Sequence, residues 1–280
     1  MNRRELDQGL ELDLGGKLTY GAYLQLDALL GAQKPLSDPP HHDEYLFIIQ
    51  HQVAELWMKL IIHELQQACR YVAGDDLRHA FKGLARVKQI QEQMINQWSV
   101  LETLTPYEYS QFRPVLDSAS GFQSYQYRAL EFLLNNKDEA LLKVHRHDPA
   151  VHAWLEGILR APSIYDEFLR YLARHGFDVP ESCLERDFAQ PYEPHAGVTA
   201  VLRTVYEQAG RYFDEYEMCE KLVDVEVNLQ RWRFRHLRAV ERIIGHKRGT
   251  GGSSGVDFLR RALDLRSFPE LIDVRTEIGT

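Results

Sequence analysis

The tightest constraint on this chain lies between Leu222 and Ile243. Leu222, Val225, Leu229, Trp232, His236, Val240 and Ile243 recur at steps of three or four, so on a helix they make one continuous apolar stripe that other helices must cover. One member of the stripe is an imidazole. Inside an apolar seam, His236 needs a hydrogen-bond partner or a bound ligand to offset its lost water. Directly after this helix comes Gly245-His-Lys-Arg-Gly-Thr-Gly-Gly-Ser-Ser-Gly255, a run of small residues that lets backbone approach a bound molecule closely. Two readings fit. Either a core histidine bonded to a carbonyl precedes a flexible connector, or a nitrogen ligand for a buried prosthetic group precedes a loop that orders over it.

The remaining pattern is helical almost throughout. Thr19 caps a short helix reaching Leu30, and Pro35, Pro39 and Pro40 make an extended connection. A long helix then runs from Asp43 to about Gly74, with Phe47, Ile48, His51, Ala54, Met58, Ile61, Ile62 and Leu65 facing inward. A third spans about Asp75 to Leu104 and tolerates Gly83 at a cost of ~1 kcal/mol. Thr105-Pro-Tyr-Glu108 is a capping box with proline at the first helical position, and Pro114 should stop or kink the helix it begins. Further helices are expected from Ser120 to about Asn135 and from Asp148 to Gly176 with a break at Pro162. Phe177 to Gly197 reads as loop. A single helix from about Thr199 to Ile244 would be ~65–70 Å long, followed by a last one from Val256 to Leu265. Alternating runs and Asn-Gly or Asp-Gly turns are missing, so strands are not expected. The expectation is one all-α domain over residues 1–280.

Several functional classes drop out. A net charge of -8 disfavours nucleic-acid or anionic-membrane binding, and the cationic cluster from Arg231 to Arg248 follows an acidic half-helix with which it can pair locally. Cys69, Cys183 and Cys219 are isolated, which excludes a disulfide framework, a zinc ribbon and covalent c-type haem attachment. With no apolar leader beside Arg3 and Arg4 and no long apolar run, a soluble, cytoplasmic protein is expected. There is no HExxH, no Glu-x-x-His, and no glycine spacing that fits a phosphate loop. His145 and His147, two apart, are expected on the surface.

What remains is a complementary set. His51 is a second imidazole on an apolar helix face, one turn from Phe47. Tyr109 and Arg113 put a phenol and a guanidinium one turn apart, a suitable anchor for a carboxylate, although a surface Tyr-Arg stack would look the same. Thr250 offers a hydroxyl within the small-residue loop.

Longer motifs then carry a resemblance. Thr19-Tyr-Gly-Ala-Tyr23, His41-His-Asp-Glu44, Phe47-Ile-Ile-Gln-His-Gln52, Glu55-Leu-Trp57, Trp98-Ser-Val-Leu-Glu-Thr-Leu-Thr-Pro106, Ser120-Gly-Phe-Gln-Ser124, Trp232-Arg-Phe-Arg-His236 and Lys247-Arg-Gly-Thr-Gly-Gly-Ser-Ser-Gly255 closely resemble the bacterial tryptophan 2,3-dioxygenase family, from about residue 10 to the C-terminus. The resemblance implies an all-helical domain with long core helices enclosing one haem b per subunit. It implies insertion of O2 across the indole 2,3 bond of L-tryptophan to give N-formyl-L-kynurenine, the first step of tryptophan catabolism. By the same resemblance, His236 is the iron ligand, with Trp98, Ser120 and Gly121 around the haem. His51 is the catalytic histidine near the indole N–H, within a substrate-side run of Phe47, Ile48, Ile49 and Gln50. Tyr109 and Arg113 hold the substrate carboxylate, and Thr250 contacts the amino-acid head group. Tyr20 and Tyr23 belong to an N-terminal segment, residues 1–40, that packs on a neighbouring subunit of a homotetramer built as a dimer of dimers.

Overall fold

Helix-start chemistry and two abrupt turns lay out the chain. The structure, a computed structural model, describes residues 5–279. Arg3 and Arg4, and the two ends of the expected 1–280 domain, lie outside the described residues. In chain order the helices are α1 (Tyr20–Leu24), α2 (Leu26–Leu30), α3 (His42–Ala73), α4 (Leu77–Asn96), α5 (Trp98–Leu101), α6 (Pro106–Phe112) and α7 (Tyr125–Leu133). After them come α8 (Pro149–Arg160), α9 (Ile164–Arg174), α10 (Glu181–Leu184), α11 (Ala196–Glu207), α12 (Phe213–Ile244), α13 (Val256–Arg261) and α14 (Pro269–Asp273). Among the described residues there is no strand, and no helix is long and apolar enough to cross a membrane.

The caps form as the side chains dictate. Thr19 Oγ1 accepts from the Ala22 N–H at 3.2 Å. Thr105 and Glu108 exchange both bonds of the capping box, at 2.7 and 3.3 Å. Buried Glu44 accepts from the Leu36 and Ser37 N–H groups at 2.7 and 3.0 Å, pinning the proline-rich connection to the first turn of α3. At the other end of α3, Arg174 reaches from α9 to donate to the Val72 carbonyl at 3.0 Å and to Asp75 at 2.8 Å. A cation there satisfies orphan carbonyls and complements the helix dipole. Lys137 does the same for α8: its buried ammonium donates to the carbonyls of Ile158 (3.2 Å), Leu159 (2.7 Å) and Ala161. Burial pulls the Lys137 pKa down to about 8.

Long helices α3 and α12 each lie against α4 rather than principally against each other. That arrangement leaves a gap between them, which the site uses. Fully buried Ile61, Leu65, Leu84, Val87, Leu222 and Val225 fill the α3–α4–α12 contacts, each side chain contributing ~1.5–3 kcal/mol on burial.

Several expectations are corrected. The single helix from Thr199 to Ile244 is two, α11 and α12, because the chain turns through residues 208–212. Gly210 weakens helix there, and Tyr212 turns in to meet Phe177 at 4.8 Å. Helix α11 can then pack on α14, and α12 measures ~48 Å. The expected Thr19–Leu30 helix is divided by Gln25, whose φ of 53° is left-handed. Helix α4 ends at Asn96, and the chain bends at Gln97 into α5. The helix expected from Ser120 opens as a 3-10 turn, Gly121–Gln123, before α7 begins. Residues Phe177 to Gly197 hold one short helix, α10. His147 is exposed as expected, but His145 is buried, at the end of a 3-10 segment, Glu139–His145, that α8 folds back upon.

Candidate active site

Helical periodicity builds both walls of a cavity of about 430 Å³ between α3 and α12. Phe47, His51, Ala54, Glu55 and Met58 face it from α3, and Trp232, Arg233, His236, Val240 and Ile243 face it from α12. The bend at Gln97 turns Trp98 into the same space. The loop after α12 closes another side with Gly249, Thr250, Ser253 and Gly255.

His236 has no polar partner. Its ring stacks on Trp98, with centroids 4.9 Å apart and planes 10° from parallel, and lies 5.3 Å from Trp232. What exposure it has is to the cavity. Burial, and behind it the proximity of His51, lowers its pKa to about 4, so the ring is neutral at pH 7 with a nitrogen lone pair to give. His51 is arranged differently. Its Nδ1 lies 2.7 Å from the Phe47 carbonyl. A carbonyl only accepts, so Nδ1 carries the proton and Nε2 is left as an acceptor. Burial lowers the His51 pKa too, opposed by that hydrogen bond and by Glu55.

The loop is latched by two of the expected site residues. Arg113 Nη2 donates to the Arg248 carbonyl at 2.7 Å, and Thr250 Oγ1 donates to the Ala119 carbonyl at 2.5 Å. Buried Arg113 Nε has no partner. Close approach is strict at Gly251, where an added Cβ would sit 2.7 Å from Ser120 Cβ. Tyr109, packed at 5.8 Å from Phe47, completes this end, its phenol pKa raised by burial against the pull of Arg113.

An ionic cluster stiffens the opposite wall. Arg233 donates to Tyr127 Oη at 2.9 Å, to Glu131 at 2.7 Å and to the Ala262 carbonyl at 3.1 Å. Arg128 pairs with the other oxygen of Glu131. Two guanidiniums share one carboxylate, so the cavity carries a positive balance suited to carboxylate-bearing molecules. Elsewhere in the cationic run, Arg235 pairs with Glu102 at 3.0 Å and Arg238 with Glu241 at 2.6 Å.

The sequence matches the family model described as Tryptophan 2,3-dioxygenase over residues 4–203 and 194–278. It is 60% identical to the tryptophan 2,3-dioxygenase of Myxococcus xanthus, covering 99% of this chain and 96% of the relative. Against the enzymes of that name from Serratia proteamaculans and Kineococcus radiotolerans, identity is 57% and 59%, covering all of this chain and 100% and 98% of the relatives. The chain belongs to the tryptophan 2,3-dioxygenase family.

Seen as a tryptophan 2,3-dioxygenase family site, the cavity gathers Phe47, His51, Trp98, Tyr109, Arg113, Ser120, Gly121, His236 and Thr250 from across the chain. Ile48, Ile49 and Gln50 do not line it: the helical period turns Ile49 to the surface and Gln50 into neighbouring packing, while half-buried Ile48, on the same side of α3 as His51, lies at the edge of that face and is not part of the cavity wall. Tyr20 and Tyr23 are 76% and 73% exposed and lie outside this cavity within one chain. Sequence reasoning missed Tyr127, Arg128, Glu131, Phe122 and Phe258 as wall residues. The only available signal was Arg128 and Glu131 at i,i+3 beside an aromatic, which is common on helices.

Proposed function

We propose that this chain catalyses haem-dependent insertion of O2 across the indole 2,3 bond of L-tryptophan, yielding N-formyl-L-kynurenine as the first step of tryptophan catabolism. The observation that carries the reading is the pair of unlike imidazoles on opposite walls of one apolar cavity, with a guanidinium at its end. The His236 side fits haem b: a neutral imidazole without a polar partner, beside two indole rings, is the donor such iron takes. His236 would hold the iron, while Trp98, Ser120 and Gly121 would bound the porphyrin, one per subunit. The group would supply activation of O2 towards the electron-rich indole ring.

The remaining work falls to the chain's own side chains. Arg113, with a free Nε and a guanidinium made for bidentate pairing, takes the substrate carboxylate, assisted by Tyr109. Thr250 meets the amino-acid head group from the loop. Phe47 packs on the indole, and His51 Nε2 accepts the indole N–H, which fixes how the ring lies. His51 is the one catalytic side chain positioned to hold that proton. Since the loop hangs from Arg113 and Ala119, carboxylate binding and loop position are coupled through one guanidinium, and a seated loop keeps water out.

Leu10, Leu12, Leu14, Leu18, Tyr20 and Tyr23 are all at least half exposed. Such a row of apolar side chains is a liability in water unless covered, which supports docking of the N-terminal segment on a neighbouring subunit of a homotetramer. The test of function is spectroscopic. Purified protein should show a Soret band, and adding tryptophan in air should raise the formylkynurenine absorbance; protein that binds haem yet consumes no O2 with tryptophan would refute the proposal.

A further inference from the structure

Three residues at the borders of the small-residue loop and of the surface it docks on share one uncommon backbone conformation. Gly245 opens the loop with φ 59° and ψ −133°, and Gly255 closes it with φ 63° and ψ −119°. Glycine adopts such angles freely. The third residue, Asp117, has φ 46° and ψ −117° and stands in the docking surface. That ψ is far from the left-handed region Asp visits, so the backbone there is strained, and strain of this kind persists only where surrounding contacts over-determine it. No side-chain hydrogen bond of Asp117 within the described residues offsets it.

The contacts that impose the conformation lie on both sides. Before Asp117, the 3-10 turn Arg113–Leu116 sets Leu116 against the core. After it, the Ala119 N–H donates back to the Leu116 carbonyl at 2.8 Å, closing a tight turn whose first central residue is Asp117. In a type II′ turn that position belongs to glycine. The Ser118 carbonyl accepts from Gln123 Nε2 at 3.0 Å, the Ala119 carbonyl accepts from Thr250 Oγ1 at 2.5 Å, and Ser120 packs on Gly251. Arg113 and Ala119, on either side of the turn, thus grip Arg248 and Thr250, which are almost adjacent in the loop. Only a sharp reversal between the two anchors lets them reach such close neighbours.

The geometry points to Asp117 as a positioning residue: its turn brings the Ala119–Ser120 surface into register with Arg113, and the docked loop is what holds that turn strained. When the loop lifts, the turn relaxes, so the strain favours release and limits how firmly the loop stays seated. The consequence for tryptophan rests on the proposed function, whereas the docking balance does not.

Limited trypsin digestion of the haem-loaded protein tests this, because Lys247 and Arg248 lie in the loop and cleavage there follows the lifted population when opening and closing are fast. Asp117→Gly, which removes the strain, should be cut there about fivefold or more slowly than the wild type. Asp117→Val, with a β-branched side chain at positive φ, should be cut faster. Asp117→Ala, which keeps the strain and loses the charge, should stay close to the wild type. The tryptophan KM should rise in the Val variant and not in the Gly variant. Thermal midpoints that move while loop cleavage does not would reduce the turn to a structural feature and overturn the proposal. An Ala variant that behaves like the Gly variant would overturn it too, by giving the effect to the carboxylate. If the Val variant does not fold, the Gly and Ala variants decide between these outcomes. Haem-loaded protein that consumes no O2 with tryptophan would sink the functional proposal and leave the cleavage comparison standing.

Discussion

The two walls of the cavity carry the same side chain on the same kind of surface, yet they teach opposite lessons about histidine. His51 and His236 each sit on the inward face of a 32-residue helix. On α3 the ring is tied to its own helix, one turn back, through the Phe47 carbonyl at 2.7 Å. On α12 the ring stacks on Trp98 and lies against Trp232, with no hydrogen bond to the protein. The tied ring has a fixed tautomer and presents an acceptor to whatever enters. The untied ring has no protein group to stabilise it, and an unpaired buried polar group costs about 1–3 kcal/mol. A ligand in the cavity removes that cost, and this is the physical reason for giving iron to His236 and the indole N–H to His51.

The sharpest break in the comparison is His236→Ala, which should abolish haem retention, read as loss of the Soret band, together with all turnover. A variant that keeps a wild-type band and activity would put the iron elsewhere. Next in size is Arg113→Ala. Removing one partner of a buried charge pair should cost about 2–5 kcal/mol of tryptophan binding, visible in titrations, and unchanged affinity would refute the anchor. Gly251→Ala follows, because its Cβ would collide with Ser120. The loop should lift, raising KM and loop proteolysis with little change in thermal stability; a crystal structure with the loop unmoved would contradict this. His51→Ala should be milder, about a two- to tenfold loss in kcat/KM if the ring supplies one orienting hydrogen bond worth ~0.5–1.5 kcal/mol. A loss in the 10²–10⁴ range with haem intact would instead make His51 an obligatory base.

The smallest effect is on pH dependence. His236 in the folded chain titrates at about 4 rather than 6.5. Between those values the unfolded chain takes up a proton that the folded chain does not, so stability falls as pH drops through that window and is insensitive to this group above it. Thermal midpoints of the haem-free protein should decline from pH 6.5 towards 4, with a shallower decline in His236→Ala. Equal slopes would show that the ring is not held neutral by burial.

How much of this was legible varied with the range of the interaction. The Thr105–Glu108 capping box, the Thr19 cap and the break at Pro162 were readable because each is settled within four residues. The stripe from Leu222 to Ile243 was readable because burial repeats with the helical period. Misreadings occurred where distant packing outweighed a local pattern. Tyr212 turning towards Phe177 divides what periodicity alone would continue, and α8 covers His145, whose neighbours in sequence look like surface. The pairing of Arg233 with Glu131 joins residues 102 positions apart, and nothing in either local sequence announces it.

By itself, then, the order of residues determined helicity, the two inward-facing imidazoles, the small-residue loop and the family, because these depend on local backbone preferences, on a 3.6-residue period and on motifs long enough to be distinctive. Only the tertiary structure decided that α3 and α12 both lie against α4 and leave a gap between them. Only it decided which imidazole is tied and which is free, and that Arg113 also latches the loop. Those outcomes depend on where remote side chains come to rest after burial, and a linear pattern does not encode distances across a cavity.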